Sequence, residues 1–275
     1  PDQIVAMGKL KPDSWLVKGL DWMNRQILAR ADAVVALDRF MAERISRKRD
    51  VGERMHIMPP WPHEDHLEPV AHADNPFRDE HGLQGKRVVM YSGNLSPASP
   101  VTTILQAAGQ LQDLKELVFL FVGGGLGKQE VDDLIARENP PNIRSLPYQP
   151  IERLRYSLSA ADVHLVSVGE EIVGICHPCK VYGAMAVSRP ILSRGPFPCH
   201  VSDIVAGKDV GWAVEHGDVA GAATALREIA AASSESLAER GGRARQIVDE
   251  RFTKERLCEQ FCDIVAGPSG DSSAG

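Results

Sequence analysis

The chain has 275 residues, of which 43% are hydrophobic and 25% charged, and its formal net charge is −6 at pH 7. This composition is typical of a globular protein with one or two domains, and the acidic balance argues against a nucleic-acid partner. No apolar run approaches the roughly 18 residues that span a bilayer, and five cysteines in so long a chain argue against a secreted disulfide framework. We therefore expect a cytoplasmic protein.

Short apolar runs alternate with segments of helical periodicity along most of the chain. Strands are predicted at 32–37, 55–58, 87–92, 117–122, 143–146, 162–168, 190–193 and 211–214. Helices are predicted at 13–30, 40–48, 100–111, 129–138, 151–160, 178–187, 218–231, 236–250 and 253–265, and Asp218 is expected to cap the helix at 218–231. This alternation predicts an α/β fold, in which helices cover both faces of a parallel sheet.

The domain organisation follows from where these elements are dense. Residues 69–250 hold enough of them for a complete Rossmann-like domain, whereas residues 1–68 hold too few and are interpreted as the last part of a preceding α/β domain with a hinge. The hinge is placed at 59–76, which contains five prolines and no periodicity. We expect the helix within 251–266 to pack back on the first part and the polar tail 267–275 to be disordered.

Two glycine-containing loops follow predicted strands, at the sheet edge where ligands bind in open parallel sheets. In "YSGNLS", Gly93 lets the backbone approach a ligand and Asn94 can hydrogen-bond it. In "FVGGGLGK", the spacing is too short for a Walker A loop, and the third glycine of a dinucleotide fingerprint is absent. Gly123 and Gly124 therefore serve either a tight turn or the close approach of backbone to a ligand, and the first loop has the same two readings.

The stretch "GICHPCK" holds Cys176, His177 and Cys179 within four residues. A single C-x2-C without a second ligand pair is weak support for zinc, and the sequence supports a redox pair or a nucleophilic cysteine less than zinc. The interpretation we favour makes the two thiols small apolar fillers. We therefore predict no metal site.

Lys180 ends the same stretch. Pro178 suits the first position of the helix predicted at 178–187, which puts Lys180 in the first turn, where the helix dipole disfavours a cation. Lys180 is therefore either a solvated surface lysine or one that holds an anion together with backbone N–H groups. Tyr182, in the same turn, either packs or binds.

As a set, "VVMYSGNLS", "FLFVGGG", "NIRSLPYQP", "SAADVHLVSV" and "GICHPCKVYGAMAVSRPIL" occur in the order and spacing of one family. From about residue 55 to 265 the chain resembles the donor domain of family 4 glycosyltransferases, in particular the WbuB-like branch of cell-surface polysaccharide enzymes. The resemblance implies the two-domain GT-B fold, with residues 1–68 as the end of an acceptor domain that is truncated at its start.

The resemblance implies transfer of a sugar from a nucleoside-diphosphate sugar, with retention at the anomeric carbon and without a metal or cofactor. Lys180 would stabilise the leaving diphosphate. The segment ending at Tyr148 would face the base, and the loop 169–177 the sugar. The donor-binding residues implied in this way are Gly93, Asn94, Gly123, Gly124, Pro147, Tyr148, Gly174, His177, Lys180 and Tyr182.

The chain departs from the family pattern at two glutamates that many members carry. Ile175 and Gly183 occupy the matching positions, and Glu170 and Glu171 are candidate catalytic replacements if the loop differs in length. The first loop also lacks the family's arginine and lysine, so Lys180 is the main visible cation.

For the whole protein the resemblance implies a hexosyl or N-acetylhexosaminyl transferase that acts on a glycan or lipid-linked acceptor. Contact with the inner face of the membrane would come through the missing acceptor domain, and this chain alone is expected to be inactive. Two alternatives stay open: a GT-B sugar-nucleotide epimerase, and a non-catalytic module that binds a nucleotide sugar or a partner.

Overall fold

The computed structural model describes residues 1–60, 67–205 and 207–267. Within them, one six-stranded sheet has the order β5-β4-β3-β6-β7-β8, and a two-stranded sheet pairs β1 with β2. All pairings are parallel. The strands are β1 (Val34–Ala36), β2 (Met55–Ile57), β3 (Arg87–Asn94), β4 (Leu117–Gly124), β5 (Ile143–Leu146), β6 (Val163–Ser167), β7 (Ile191–Arg194) and β8 (Gly211–Val214). The predicted α/β fold with a parallel sheet is confirmed.

Helices connect the strands as expected for parallel pairing. They are α1 (Asp2–Ala6), α2 (Trp15–Arg30), α3 (Arg39–Lys48), α4 (Pro76–Glu80), α5 (Thr102–Gly109), α6 (Lys128–Glu138), α7 (Leu154–Ser159), α8 (Lys180–Ala186), α9 (His200–Val205), α10 (Val219–Ala231), α11 (Ser234–Arg251) and α12 (Lys254–Ala266). Within the described residues, none of these helices combines the length and the hydropathy needed to cross a membrane.

The central strands are buried on both faces, which explains their continuous apolar runs. Alternate residues point to opposite faces: Val89 and Phe119 pack under α5 and α10, whereas Val88 and Leu120 belong to the core on the other face. The chain runs outward from β3 through β4 to β5 and then returns to β6 on the other side of β3. This reversal between β3 and β6 is a topological switch point, where ligands bind in open α/β sheets.

The structure corrects several predicted elements. Sequence periodicity missed α1, α4 and α9, which have five, five and six residues and are too short to show a helical period. The helix predicted at 151–160 divides into a 3₁₀ turn (Ile151–Arg153) and α7. By contrast, the predicted aspartate cap of α10 is confirmed, because the Asp218 side chain accepts a hydrogen bond from the Gly221 N–H.

The N-terminal segment and α12 contribute to one apolar cluster. Met58, directly after β2, and Leu257 of α12 are both buried in it, and Val35 and Ile264 pack against it. The domain boundaries stay a prediction. Of the predicted hinge, residues 61–66 lie outside the described residues, as do residues 268–275 of the predicted disordered tail.

Candidate functional site

Lys180 lies at the switch point because the start of α8 meets the carboxyl end of β3 there. Gly93 is near the carboxyl end of β3, and Lys180 is the first residue of α8, after β6. The Lys180 side chain passes directly over Gly93: a Cβ atom added to this glycine would lie 2.8 Å from the Lys180 Cε. Only a residue without a side chain leaves room for this approach, and Gly93 also has a φ of +121°, a region that side chains rarely adopt.

The ammonium group of Lys180 has few protein partners. Among the described residues, no carboxylate forms an ion pair with it and no acceptor hydrogen-bonds it. Its Nζ lies 5.2 Å from the centre of the Tyr91 ring, within range of a cation–π contact. Burial lowers the pKa of Lys180 below that of an ordinary lysine, and nearby Cys176 and Tyr148 oppose this shift. A partly buried cation without a counter-ion is suited to bind an anion.

A cavity of about 220 Å³ adjoins this ammonium group. It opens between β3, β6, α7 and α8, on the side of the switch point. Its lining residues are Ser92, Gly93, Leu154, Leu158, His164, Leu165, Val166, Cys179, Lys180 and Gly183.

The glycines of the second loop are explained by contacts within the protein. Gly123 pairs with Gly93 in the β3–β4 register, and a Cβ on Gly123 would lie 2.0 Å from the Gly93 carbonyl oxygen. A Cβ on Gly125 would lie 2.2 Å from Oδ1 of Asn94, a residue that is exposed overall. The two loops therefore pack backbone to backbone, which accounts for Gly123 without a ligand, and a donor contact at Gly123 stays a prediction.

Lys128, at the end of the same loop, already has a partner. Its Nζ donates to both carboxylate oxygens of Asp132, at 2.8 and 2.7 Å. Of the two lysines near these loops, Lys180 is therefore the one that lacks a protein counter-ion within the described part of the chain.

Pro147 and Tyr148, after β5, are exposed. The Tyr148 ring lies against Gly124: a Cβ on that glycine would be 2.8 Å from the ring atom Cε2. The structure thus gathers Gly124 and Tyr148 beside Gly93 and Lys180 at the carboxyl ends of β3, β4 and β5. Their contacts with a donor stay predictions.

The loop 169–177 contacts α3. A Cβ on Gly174 would lie 2.6 Å from the carbonyl oxygen of Phe40, and the residue has a φ of +71°. This contact explains the glycine without a ligand. The same loop carries the exposed residues Glu170 and Glu171 in a 3₁₀ turn.

Glu170 and Glu171 lie apart from the cavity that Lys180 lines. Both contribute to a larger cleft of about 700 Å³, whose other walls include Asp2 of α1 and Lys18 and Arg25 of α2. The two carboxylates thus face the N-terminal helices, and their catalytic role stays a prediction.

The start of α8 differs from the prediction. The helix begins at Lys180 rather than at Pro178, and its N–H groups are partly used: Val181 and Tyr182 donate to the carbonyls of Pro178 and Cys179. The Lys180 side chain, more than the helix start, is therefore what this junction offers an anion. The expectation of buried thiols is wrong, because Cys176 and Cys179 are both exposed.

Sequence reasoning missed a polar cluster that adjoins this junction. Asp38, His177 and Tyr182 are buried, and His200 is half-buried. The His177 Nδ1 lies 2.7 Å from a carboxylate oxygen of Asp38, and its Nε2 lies 3.0 Å from the Tyr182 hydroxyl. That hydroxyl is also 3.2 Å from Nε2 of His200. Both ring nitrogens of His177 thus already face protein groups, and its donor contact, like that of buried Tyr182, stays a prediction.

The environment fixes the charges of this cluster. Burial alone would raise the pKa of Asp38, but hydrogen bonds from His177 and from the Met41 N–H bring it below the usual value. Burial lowers the pKa of His200 to about 3, and burial raises that of the Tyr182 hydroxyl. Near neutral pH, Asp38 is therefore charged, and His200 and Tyr182 are neutral.

Ligand atoms of Asp38, His177 and His200 lie within 4.8 Å of one another, close enough to share a metal ion. The distances of 2.7 and 3.0 Å from His177 are those of hydrogen bonds, and these bonds account for the arrangement. No pattern in the sequence marked this group, since Asp38 and His177 are 139 positions apart.

Comparison with known families and relatives gives a consistent result. The family model described as "Glycosyl transferases group 1" matches residues 86–232, more than half of the chain. A Pseudomonas aeruginosa protein named "Probable glycosyltransferase WbjE" is 27% identical over 265 residues, covering 96% of this chain and 65% of the relative. A candidate colanic acid biosynthesis glycosyl transferase of Escherichia coli, WcaI, is 27% identical over 60% of this chain and 40% of its own length.

Solved structures share the fold at low sequence identity. Anabaena HepE in complex with UDP and glucose has a TM-score of 0.76 at 15% identity, over 91% of this chain and 67% of HepE. Sucrose-phosphate synthase from Thermosynechococcus elongatus has a TM-score of 0.75 at 20% identity, over 95% of this chain and 65% of the synthase. WaaG, a lipopolysaccharide glycosyltransferase, has a TM-score of 0.73 at 15% identity, over 94% of this chain and 69% of WaaG. The chain has the GT-B type of fold.

Proposed function

The chain belongs to the group 1 family of glycosyltransferases, and from this premise we propose that it binds a nucleoside-diphosphate sugar with the diphosphate at Lys180. The observation that carries the proposal is the partly buried ammonium group of Lys180 at the switch point, which has no counter-ion among the described residues and has Gly93 and Tyr148 beside it. An anion there would supply the counter-ion that the described protein groups do not.

For the whole protein we propose retaining, metal-independent transfer of a hexosyl or N-acetylhexosaminyl group to a glycan or lipid-linked acceptor. The WbuB-like branch, a cytoplasmic location and contact with the inner face of the membrane belong to the same proposal. A uridine base is supported by HepE and TarM, whose structures contain UDP. Because the chain spans 65% of WbjE, we expect donor binding rather than turnover from this chain alone.

The position of Lys180 suggests how this residue assists departure of the diphosphate. Negative charge grows on the leaving diphosphate as its bond to the sugar breaks. A preorganised cation therefore stabilises the transition state more than the ground state. Lys180 is held by its contact with Gly93 and by the Tyr91 ring, so little reorganisation is required when the charge develops.

Calorimetric titration with UDP tests the proposal. We expect Lys180→Ala to weaken binding about tenfold or more, because a hydrogen bond to a charged group contributes about 1.5–3 kcal/mol. The matched control is Lys128→Ala, since Lys128 lies on the neighbouring loop but is paired with Asp132, and its removal should leave the affinity unchanged. Equal affinities of Lys180→Ala and the wild type would contradict the phosphate role.

Product analysis separates the alternatives. An epimerase converts its donor sugar without any acceptor, and a non-catalytic module leaves the donor intact even when the full-length protein and an acceptor are present. A new glycosidic linkage that forms only with an acceptor supports the transferase.

A further inference from the structure

The polar cluster of Asp38, His177, Tyr182 and His200 lies beside the Lys180 cavity without lining it. It joins four parts of the chain: the start of α3, the loop before α8, α8 itself, and the start of α9. We propose that these four residues form a directed hydrogen-bond chain that positions Lys180. This inference rests on the proposed role of Lys180 in binding the diphosphate.

The direction of the chain follows from which groups can donate. The Asp38 carboxylate only accepts, so Nδ1 of His177 carries a proton, and in the singly protonated ring that the proposal requires, Nε2 is free to accept. In the proposed direction, the Tyr182 O–H donates to that Nε2 at 3.0 Å, and its oxygen accepts at 3.2 Å from a His200 ring protonated on Nε2. This order leaves each of these donors with one acceptor. Were His177 doubly protonated, the direction would reverse: its Nε2–H would donate to the Tyr182 oxygen, and the Tyr182 O–H would donate to Nε2 of a His200 ring protonated on Nδ1.

The chain holds the Lys180 junction from both sides. His177 and Tyr182 bracket Lys180 in the sequence, and their rings stack with a 17° angle between planes. At the other end, Asp38 both binds His177 and caps α3 by accepting from the Met41 N–H at 2.8 Å. The Gly174–Phe40 contact is a second point where the same loop is pressed against α3. The position of Lys180 over Gly93 is thereby tied to the N-terminal segment.

Two substitutions at Asp38 separate positioning from simple stability. Asp38→Ser keeps an N-cap side chain but is too short to reach His177. Asp38→Asn keeps both the size of the side chain and the cap of α3. If the amide oxygen accepts from the Met41 N–H, the NH2 group faces Nδ1 of His177 as a donor. Nδ1 must then accept, so the His177 proton moves to Nε2. The control is Asp203→Asn, since Asp203 is close to His200 in sequence but pairs with Arg39 on the surface.

Long-range ¹H–¹⁵N spectra of histidine-labelled protein, assigned with a His177→Gln variant, report the ring tautomer. We expect the proton of His177 on Nδ1 in the wild type and in Asp203→Asn, and on Nε2 in Asp38→Asn. UDP affinity should fall about fivefold or more in both Asp38 variants, the effect of losing one net hydrogen bond, and stay unchanged in Asp203→Asn.

The outcomes separate this inference from the proposed function. If Lys180→Ala loses UDP binding but both Asp38 variants bind like the wild type, the positioning role is wrong while the function stands. If the wild type does not bind UDP, the proposed function fails, and with it the positioning role that rests on it. A His177 proton on Nε2 in the wild type, or stoichiometric metal that elemental analysis finds in the wild type and not in Asp38→Asn, would overturn the chain.

Discussion

Gly93→Ala tests whether the position of the Lys180 side chain matters for nucleotide binding. The added Cβ would lie 2.8 Å from the Lys180 Cε, whereas carbon atoms prefer about 3.5–4.0 Å, so the lysine must move by roughly 0.7 Å or more. A misplacement of about 1 Å at a preorganised site can lower its effectiveness by up to about a hundredfold. We expect UDP affinity to fall about tenfold or more, which corresponds to about 1.4 kcal/mol.

The same substitution also strains the backbone, and the strain has to be separated from the displacement of Lys180. Alanine at a φ of +121° should destabilise the fold by about 1–3 kcal/mol. Gly85→Ala is the control, since Gly85 has a φ of +69° and no atom of the described residues lies within 4 Å of its Cβ position. Thermal unfolding followed by circular dichroism should show a loss of stability in both variants.

Calorimetry with UDP then decides between the two effects, at a temperature where both variants are folded. Only Gly93→Ala should lose affinity. Wild-type affinity in Gly93→Ala would refute the claim that the contact between Gly93 and Lys180 positions the cation. An equal loss in Gly85→Ala would assign the effect to general destabilisation.

Two further predictions concern charge and access at the same place. The contribution of Lys180 to UDP binding is the difference in binding free energy between the wild type and Lys180→Met. It should vanish as pH rises through the pKa of the lysine, since only the protonated form is a cation. Because burial depresses that pKa, the midpoint should lie below the ordinary value of 10.5, and a midpoint at or above 10.5 would contradict the burial argument. Cys176 and Cys179 are exposed beside Lys180, so UDP should slow their alkylation by N-ethylmaleimide, followed by peptide mass spectrometry. Exposed Cys262 of α12 is the internal control, and equal protection of all three thiols would count against a local effect.

Several features of the fold were determined by local sequence. The continuous apolar runs of β3 and β4 predicted strands buried on both faces, because a strand covered by helices on each side has no polar face. The bounds of β5 agree with the prediction, and Asp218 marked the start of α10 because a short acidic side chain can accept from a free N–H of the first turn. These signals depend on neighbours in the chain and therefore appear in the sequence.

The candidate site was only partly determined in this way. The sequence placed Gly93 and Lys180 at strand and helix ends, and the order of strands then made both segments candidates for the same sheet edge. It left open whether Gly123 served packing or a ligand, since the packing depends on the carbonyl of Gly93, thirty positions earlier, which would lie 2.0 Å from a Cβ on Gly123. It also favoured buried thiols at Cys176 and Cys179, and burial of a small side chain depends on what packs over it.

Tertiary structure alone decided the partners of the charged and polar groups. Lys128 and Lys180 both follow loops at the same sheet edge. Lys128 has a carboxylate partner one helical turn away, whereas Lys180 passes over a glycine and has no carboxylate partner in the described part of the chain. Asp38 and His177 meet across 139 positions because α3 packs against the loop before α8. A sequence shows which side chains carry charge or a proton, but their pairing depends on the distances that packing sets between remote segments. Those distances give Lys180 its candidate role.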